Sequence, residues 1–159
     1  MNPEHRSALR TLCAAFEGQP LNWAVTGSLG FLLHGIAVEV HDIDLQTDRA
    51  SAYAIQRLFA DAMIREVRFS ESEHIRSHFG AFEIGGVVVE IMGDLQKKLS
   101  DGTWEDPVNP QDHLDWVMFE GLRLPVLSLE YEYRAYLKLG RLEKAEQLRR
   151  HLEGNSKLG

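Results

Sequence analysis

The chain has too little cysteine for a disulfide framework. Cys13 is the single one in 159 residues, so no intramolecular bridge can form and a reducing cytoplasm is the expected setting. No apolar run approaches the ~20 residues that a membrane helix needs, and Met1 to Arg10 shows no signal-peptide pattern. Positive charge is scarce. Seventeen Lys and Arg against 24 Asp and Glu leave a formal net charge of -7, which argues against nucleic-acid binding through a broad basic face but allows a local basic pocket for a nucleotide. Internal repeats, low-complexity tracts and a Ser/Gly linker long enough to separate a pair of domains are all missing. What is present, 44% hydrophobic and 26% charged residues, is the balance of a globular chain whose one domain buries roughly 68–70% of its unfolded surface.

The order of elements follows from periodicity and breakers. Asn2-Pro3 starts a helix whose apolar face is Leu9, Leu12, Cys13 and Phe16, ended by Gly18 and Pro20. Trp23 to Thr26 reads as a buried strand, broken by Gly27-Ser28, and a short helix runs from Leu29 to His34 up to Gly35. Asp42 to Thr47 alternates acid and aliphatic residues, a strand with two unlike faces. Asp48 caps a helix with Ile55, Leu58, Phe59, Ala62 and Met63 on one face, and a strand follows near Val67 to Ser70. Gly85-Gly86 between His78–Ile84 and Val87–Met92 signals a hairpin, as does Glu120-Gly121 between Trp116–Phe119 and Leu122–Val126. Asp94 reads as the cap of a helix over Leu95 to Leu99, and residues 101–110 as a loop. Ser128 opens two closing helices that meet at Gly140, and Gly154 to Gly159 are expected to fray.

The chemistry concentrates in three acids. In a strand Asp42 and Asp44 project from the same face. At about 5 Å and an effective dielectric of about 20 their repulsion is on the order of 3 kcal/mol, a large share of a domain's ~5–15 kcal/mol. Such a pair beside Ile43 and Leu45 wants a compensating divalent cation. Glu90 is a lone acid in the run Val87 to Met92, and burying it unpartnered is costly. If its strand lies beside that of Asp42 and Asp44, three carboxylates converge as magnesium-dependent phosphoryl or nucleotidyl transfer requires. Gly27-Ser28, at a strand-to-helix turn, supplies backbone N–H groups and a hydroxyl for a phosphate.

Gly27, Ser28, Asp42, Ile43 and Asp44 together resemble the motif of the nucleotidyltransferase superfamily, with thirteen residues between Ser28 and Asp42, the long end of the family pattern. The resemblance implies an α/β fold: a mixed β-sheet of polymerase-beta-like type with flanking helices, mostly on one side, and C-terminal helices. The expected fold is one domain over 1–159, with a core at about 20–127 and the closing helices at about 128–153; the resemblance itself covers roughly Trp23 to Met92 well and the closing helices loosely. It is similar to the small bacterial members that modify antibiotics such as aminoglycosides or lincosamides, while others act as antitoxins or modify proteins. By that resemblance Asp42, Asp44 and Glu90 hold Mg2+, two ions in all, and Glu90 acts as base toward an acceptor hydroxyl. Gly27 and Ser28 hold the phosphates of a nucleoside triphosphate. The Arg that family members often carry after the Gly-Ser turn is missing from Leu29 to His41. Arg76, Lys97, Lys98 and Lys138 are the substitutes, with Lys138 favoured because related enzymes often place a basic residue in that helix.

Other readings compete. Glu90 could pair with Arg76 or Arg68, and Gly27-Ser28 could be an ordinary helix cap. Tyr131, Tyr133 and Tyr136 could line an acceptor cleft or pack the helix on the sheet. Arg141, Lys144, Arg149 and Arg150 interleave with Glu143 and Glu146 as a solvated, ion-paired helix. The second functional class is a non-catalytic, antitoxin-like module with a toxin partner, and a nucleotide-sugar glycosyltransferase ranks last. A homodimer could complete the acceptor site across its interface.

Overall fold

In the computed structural model, which describes residues 1–158 and side chains as far as Gly154, seven strands form one mixed sheet. Helix α1 (Pro3–Phe16) is capped by Asn2, whose side chain accepts from the His5 amide, and precedes β1 (Trp23–Thr26), α2 (Gly27–Leu33) and β2 (Ile43–Thr47). Asp48 caps α3 (Arg49–Leu58) through the Ser51 amide. Then come β3 (Met63–Glu71), β4 (Ile75–Ile84) and β5 (Val87–Lys97), and after a long connection β6 (Leu114–Phe119), β7 (Leu122–Leu127), α4 (Leu129–Lys138) and α5 (Leu142–Leu158). Among the described residues no helix is long and apolar enough to cross a membrane.

The strand order is β3-β4-β5-β2-β1-β7-β6. β2 runs parallel to β5 and antiparallel to β1, and β1 runs parallel to β7. The strands that the sequence separates most widely are therefore neighbours at the centre. Ile43, Leu45, Val89 and Ile91 bury one face against Leu9, Leu12 and Phe16 of α1 and Ala52 and Ile55 of α3. Each fully buried Leu or Ile contributes about 1.5–3 kcal/mol. Thr26, Asp44 and Glu90 have the opposite parity and face the other side, where α4 stands with Glu132 against Thr26. The helices thus occupy both faces rather than mostly one, and it is this second layer that encloses the site.

Several boundaries depart from the sequence expectation. The strand expected from Asp42 begins at Ile43, where ladder pairing starts, and leaves Asp42 just outside the sheet. α3 stops at Leu58, and Phe59 and Met63 keep their apolar role from a 3-10 turn and β3: Phe59 stacks on Phe82 at 4.4 Å. The predicted helix over Leu95 to Leu99 does not form. β5 instead continues to Lys97, and Asp94, at φ 51°, sits in a bulge that shifts the register against β4 between Gly93 and Gln96. Its carboxylate does serve a helix start, but that of α3, accepting from the Arg49 amide at 2.9 Å. The bulge also reverses the strand's parity, so that Lys97 reaches Tyr131 of α4. Finally, α5 extends past Gly154, where fraying was expected, and Gly159 lies outside the described residues.

Candidate active site

The site is built on one row of residues across the sheet. Thr26 is the cross-strand partner of Asp44, and Asp44 that of Glu90. Directly opposite residues share a face and hold their Cβ atoms about 4.5–5.5 Å apart, so the two acids meet because their strands pair in this register. Asp42 stands one residue ahead of β2 and is half-buried. Among the described residues Glu90 forms no structural ion pair: Arg76 hydrogen-bonds Gln96 and pairs with Glu71, and Arg68 pairs with Glu66.

Burial, then the charge of Glu90, then that of Asp42 push the Asp44 carboxyl up to about 7, helped by a side-chain hydrogen bond with Glu90 and the charge of Glu132. The Asp44 carboxyl therefore keeps its proton to a higher pH than an ordinary aspartate.

Gly27 is required by this packing. Its φ is 66°, and a Cβ there would strike the Asp44 carboxylate, 3.2 Å from Cγ. The sequence assigned the glycine to phosphate approach alone, and the structure adds the close passage of the acid. Thr26 occupies the N-cap position of α2 yet makes no side-chain capping bond, because its hydroxyl donates to Glu132. Gly27, Ser28 and Asp44 share a cleft of about 440 Å³ with Phe31, Tyr136, Arg141 and Lys144. A larger hollow of about 690 Å³ between α1 and the β6–β7 hairpin, lined by Cys13, Trp23, Trp116 and Arg123, contains none of these acids.

Lys138 lies elsewhere. Its Nζ is 3.1 Å from Glu105 Oε2, and it lines a different hollow. Lys97 is buried against the same Glu105 at 2.9 Å, and Arg76 and Lys98 sit over Trp104. The basic groups at the cleft are Arg141 and Lys144, both beside the Tyr136 ring at 5.4 and 5.6 Å. Of the interleaved charges from Arg141 through α5, Arg149 and Arg150 do pair with Glu146, whereas Arg141 and Lys144 turn to the cleft.

Sequence reasoning also missed Glu132, which burial pushes up to about 7 against the opposing pull of the Thr26 hydrogen bond and the Lys97 charge. The available signal was an acid on the buried stripe Leu129, Glu132, Ala135 of α4. Tyr136 packs near Phe31 at 6.1 Å while also edging the cleft, and Tyr131 accepts from Lys97 Nζ at 3.0 Å.

As the side chains stand, no three acidic, histidine or cysteine groups among the described residues close around a single cation. Magnesium takes one or two protein carboxylates and completes its shell with waters and substrate phosphates, and Asp44 with its ladder partner Glu90 offers two. The donor set is all oxygen, and the raised Asp44 carboxyl, buried beside the charges of Glu90 and Asp42, marks where positive charge is wanted.

A mixed sheet that sets a Gly-Ser turn beside Asp44 and, on the adjoining parallel strand, Glu90 has the architecture of a nucleotidyltransferase. More narrowly, the chain belongs to the aminoglycoside-2''-adenylyltransferase family, whose sequence profile matches residues 8–153. Among solved structures, the Thermotoga maritima protein TM1012, provisionally titled a nucleotidyltransferase, is 53% identical over 97% of this chain and 96% of its own, with a TM-score of 0.85. Two others share the fold at low identity. ANT(2'')-Ia, solved with adenylyl-2''-tobramycin, has a TM-score of 0.59 at 14% identity over 96% of this chain and 91% of its own. The lincosamide antibiotic adenylyltransferase LnuA, solved with lincomycin, has a TM-score of 0.51 at 17% identity over 79% and 81%. No curated protein matches the chain in sequence.

Proposed function

We propose that the chain, acting as a single domain, transfers a nucleoside monophosphate from a nucleoside triphosphate to a hydroxyl of a small antibiotic-like molecule, with magnesium as the metal. The observation that carries this is the row Thr26–Asp44–Glu90, whose Asp44 lines with Gly27 and Ser28 a cleft that also presents Arg141 and Lys144. The family name and the antibiotic-modifying neighbours support an adenylyl donor and a hydroxyl acceptor.

Asp42, Asp44 and Glu90 would hold the divalent cation, which when bound supplies charge neutralisation and Lewis acidity at the phosphates. Gly27 and Ser28 support the outer phosphates, and Arg141, just ahead of α5, and Lys144, in its first turn, balance their charge. Glu90 takes the proton of the acceptor hydroxyl as its oxygen bonds to the α-phosphorus. The α–β phosphoanhydride bond breaks and pyrophosphate leaves with the electron pair. The protein's contribution is positioning and charge placement.

Asp44→Asn should abolish magnesium-dependent pyrophosphate release from ATP in the presence of acceptor while leaving the circular dichroism spectrum unchanged. Retained turnover in that variant is the result that refutes the assignment.

A further inference from the structure

We infer that His5, on the first turn of α1, positions Asp42 for cation binding; this rests on the reading of Asp42 as a metal ligand. The sheet does not hold Asp42 itself. Ile43 is the first residue of β2 with a ladder partner, and residues 37–42 form an irregular segment after α2. Apart from a pairing between His41 and Glu39 inside the segment, the one side-chain hydrogen bond to it among the described residues comes from His5. The ring Nε2 lies 2.7 Å from the backbone oxygen of His41. A carbonyl oxygen only accepts, so Nε2 carries the hydrogen and donates it.

The consequence is geometric. The His41 carbonyl belongs to the peptide plane that ends at the Asp42 Cα, so fixing that oxygen fixes the direction from which the Asp42 side chain departs. His5 is itself well placed to do this: it is 4% exposed and rides on a helix anchored by Leu9, Leu12 and Phe16 in the core. The other ring nitrogen, Nδ1, is buried with no hydrogen-bond partner among the described residues. Packing alone would be served at least as well by an apolar side chain, which leaves no lone pair unmatched. What an apolar side chain cannot supply is the bond to the peptide of Asp42. Partners of this kind, one contact removed from a metal ligand, change metal affinity or activity by about 10–100-fold when lost.

The test measures Mn2+ affinity by electron paramagnetic resonance, with a non-hydrolysable ATP analogue present, beside melting temperature and steady-state kinetics. His5→Leu should weaken Mn2+ binding about tenfold and lower kcat, with the melting temperature and the KM for ATP little changed. His5→Gln, whose amide N–H can donate to the same carbonyl, should recover most of the loss. His5→Met replaces His5→Leu if that variant does not fold. Unchanged Mn2+ affinity in the apolar variant, or a Gln variant no better than it, overturns the inference. Asp42→Asn run alongside separates the two levels. If it also leaves Mn2+ affinity unchanged, the metal assignment fails and takes this inference with it. If it weakens binding while His5→Leu does not, the inference alone fails.

Discussion

Asp44 carries a charge that the folded protein opposes. Its carboxyl is held up to about 7 by burial and by Glu90 and Asp42, against an ordinary value of 3.8. A carboxyl raised on folding contributes stability that is fully present below the unfolded value and is lost as pH rises through the folded one. In cation-free protein stability should therefore fall between about pH 4 and pH 7, with buried Glu132, also near 7, adding to the decline. Replacing Asp44 by Asn removes its share. Denaturation in the presence of a chelator should find Asp44→Asn more stable than wild type by on the order of 2–3 kcal/mol at pH 8, the gap closing toward pH 4. A gap that does not depend on pH would contradict this account of the site. The same substitution that ends turnover should thus strengthen the empty fold, the familiar opposition between a charged site and stability.

At the scale of elements, the closing helices show how a local reading can find the helix and miss its orientation. Ser128 caps α4 and Gly140, at φ 74°, separates α4 from α5, both as the sequence predicts. Yet Lys138 points to Glu105, and the turn at Gly140 sends Arg141 and Lys144 to the other side, toward Asp44. Each charge-assisted hydrogen bond to a phosphate is worth about 1.5–3 kcal/mol, roughly tenfold or more in affinity. Arg141→Gln and Lys144→Gln should each raise the KM for ATP about tenfold, whereas Lys138→Gln should leave it unchanged. Steady-state kinetics on the three variants decides between the two placements. The hairpins were easier to read, because Gly85-Gly86 and Glu120-Gly121 encode their turns within two residues. Asp94 was misread because its signal, an acid after glycine, is satisfied by a helix 45 positions away in the chain.

Across the whole molecule, the connection after β5 is tied to both sheet and closing helices by one ionic cluster. Glu105 accepts from Lys97, which is buried, and from Lys138, while Lys97 also donates to Tyr131. Burial alone would raise the Glu105 carboxyl, but the hydrogen bonds and charges of Lys97 and Lys138 outweigh it and hold the carboxyl below the usual glutamate range. Its stabilisation is thus present above the unfolded value and lost as pH falls through the folded one. Glu105→Gln leaves the Lys97 ammonium buried without its counter-charge and should cost about 3–5 kcal/mol at pH 7. Urea denaturation should show that cost shrinking below about pH 4.

The amino-acid sequence by itself determined the features with short-range causes. Alternation of polar and aliphatic residues marks the strand that carries Asp44, and Gly27 opens a turn because only glycine takes its φ without strain. Glu90 stood out because a lone acid in an apolar strand needs a partner. Tertiary structure alone decided which groups meet. The parallel pairing of β2 with β5 sets Glu90 beside Asp44, α4 brings Glu132 in from the opposite layer, and Arg141 and Lys144 at the start of α5, rather than Lys138 of α4, reach the cleft. Those choices depend on register and on how whole helices dock, and both are settled by burial of the shared core rather than by any neighbour in the chain.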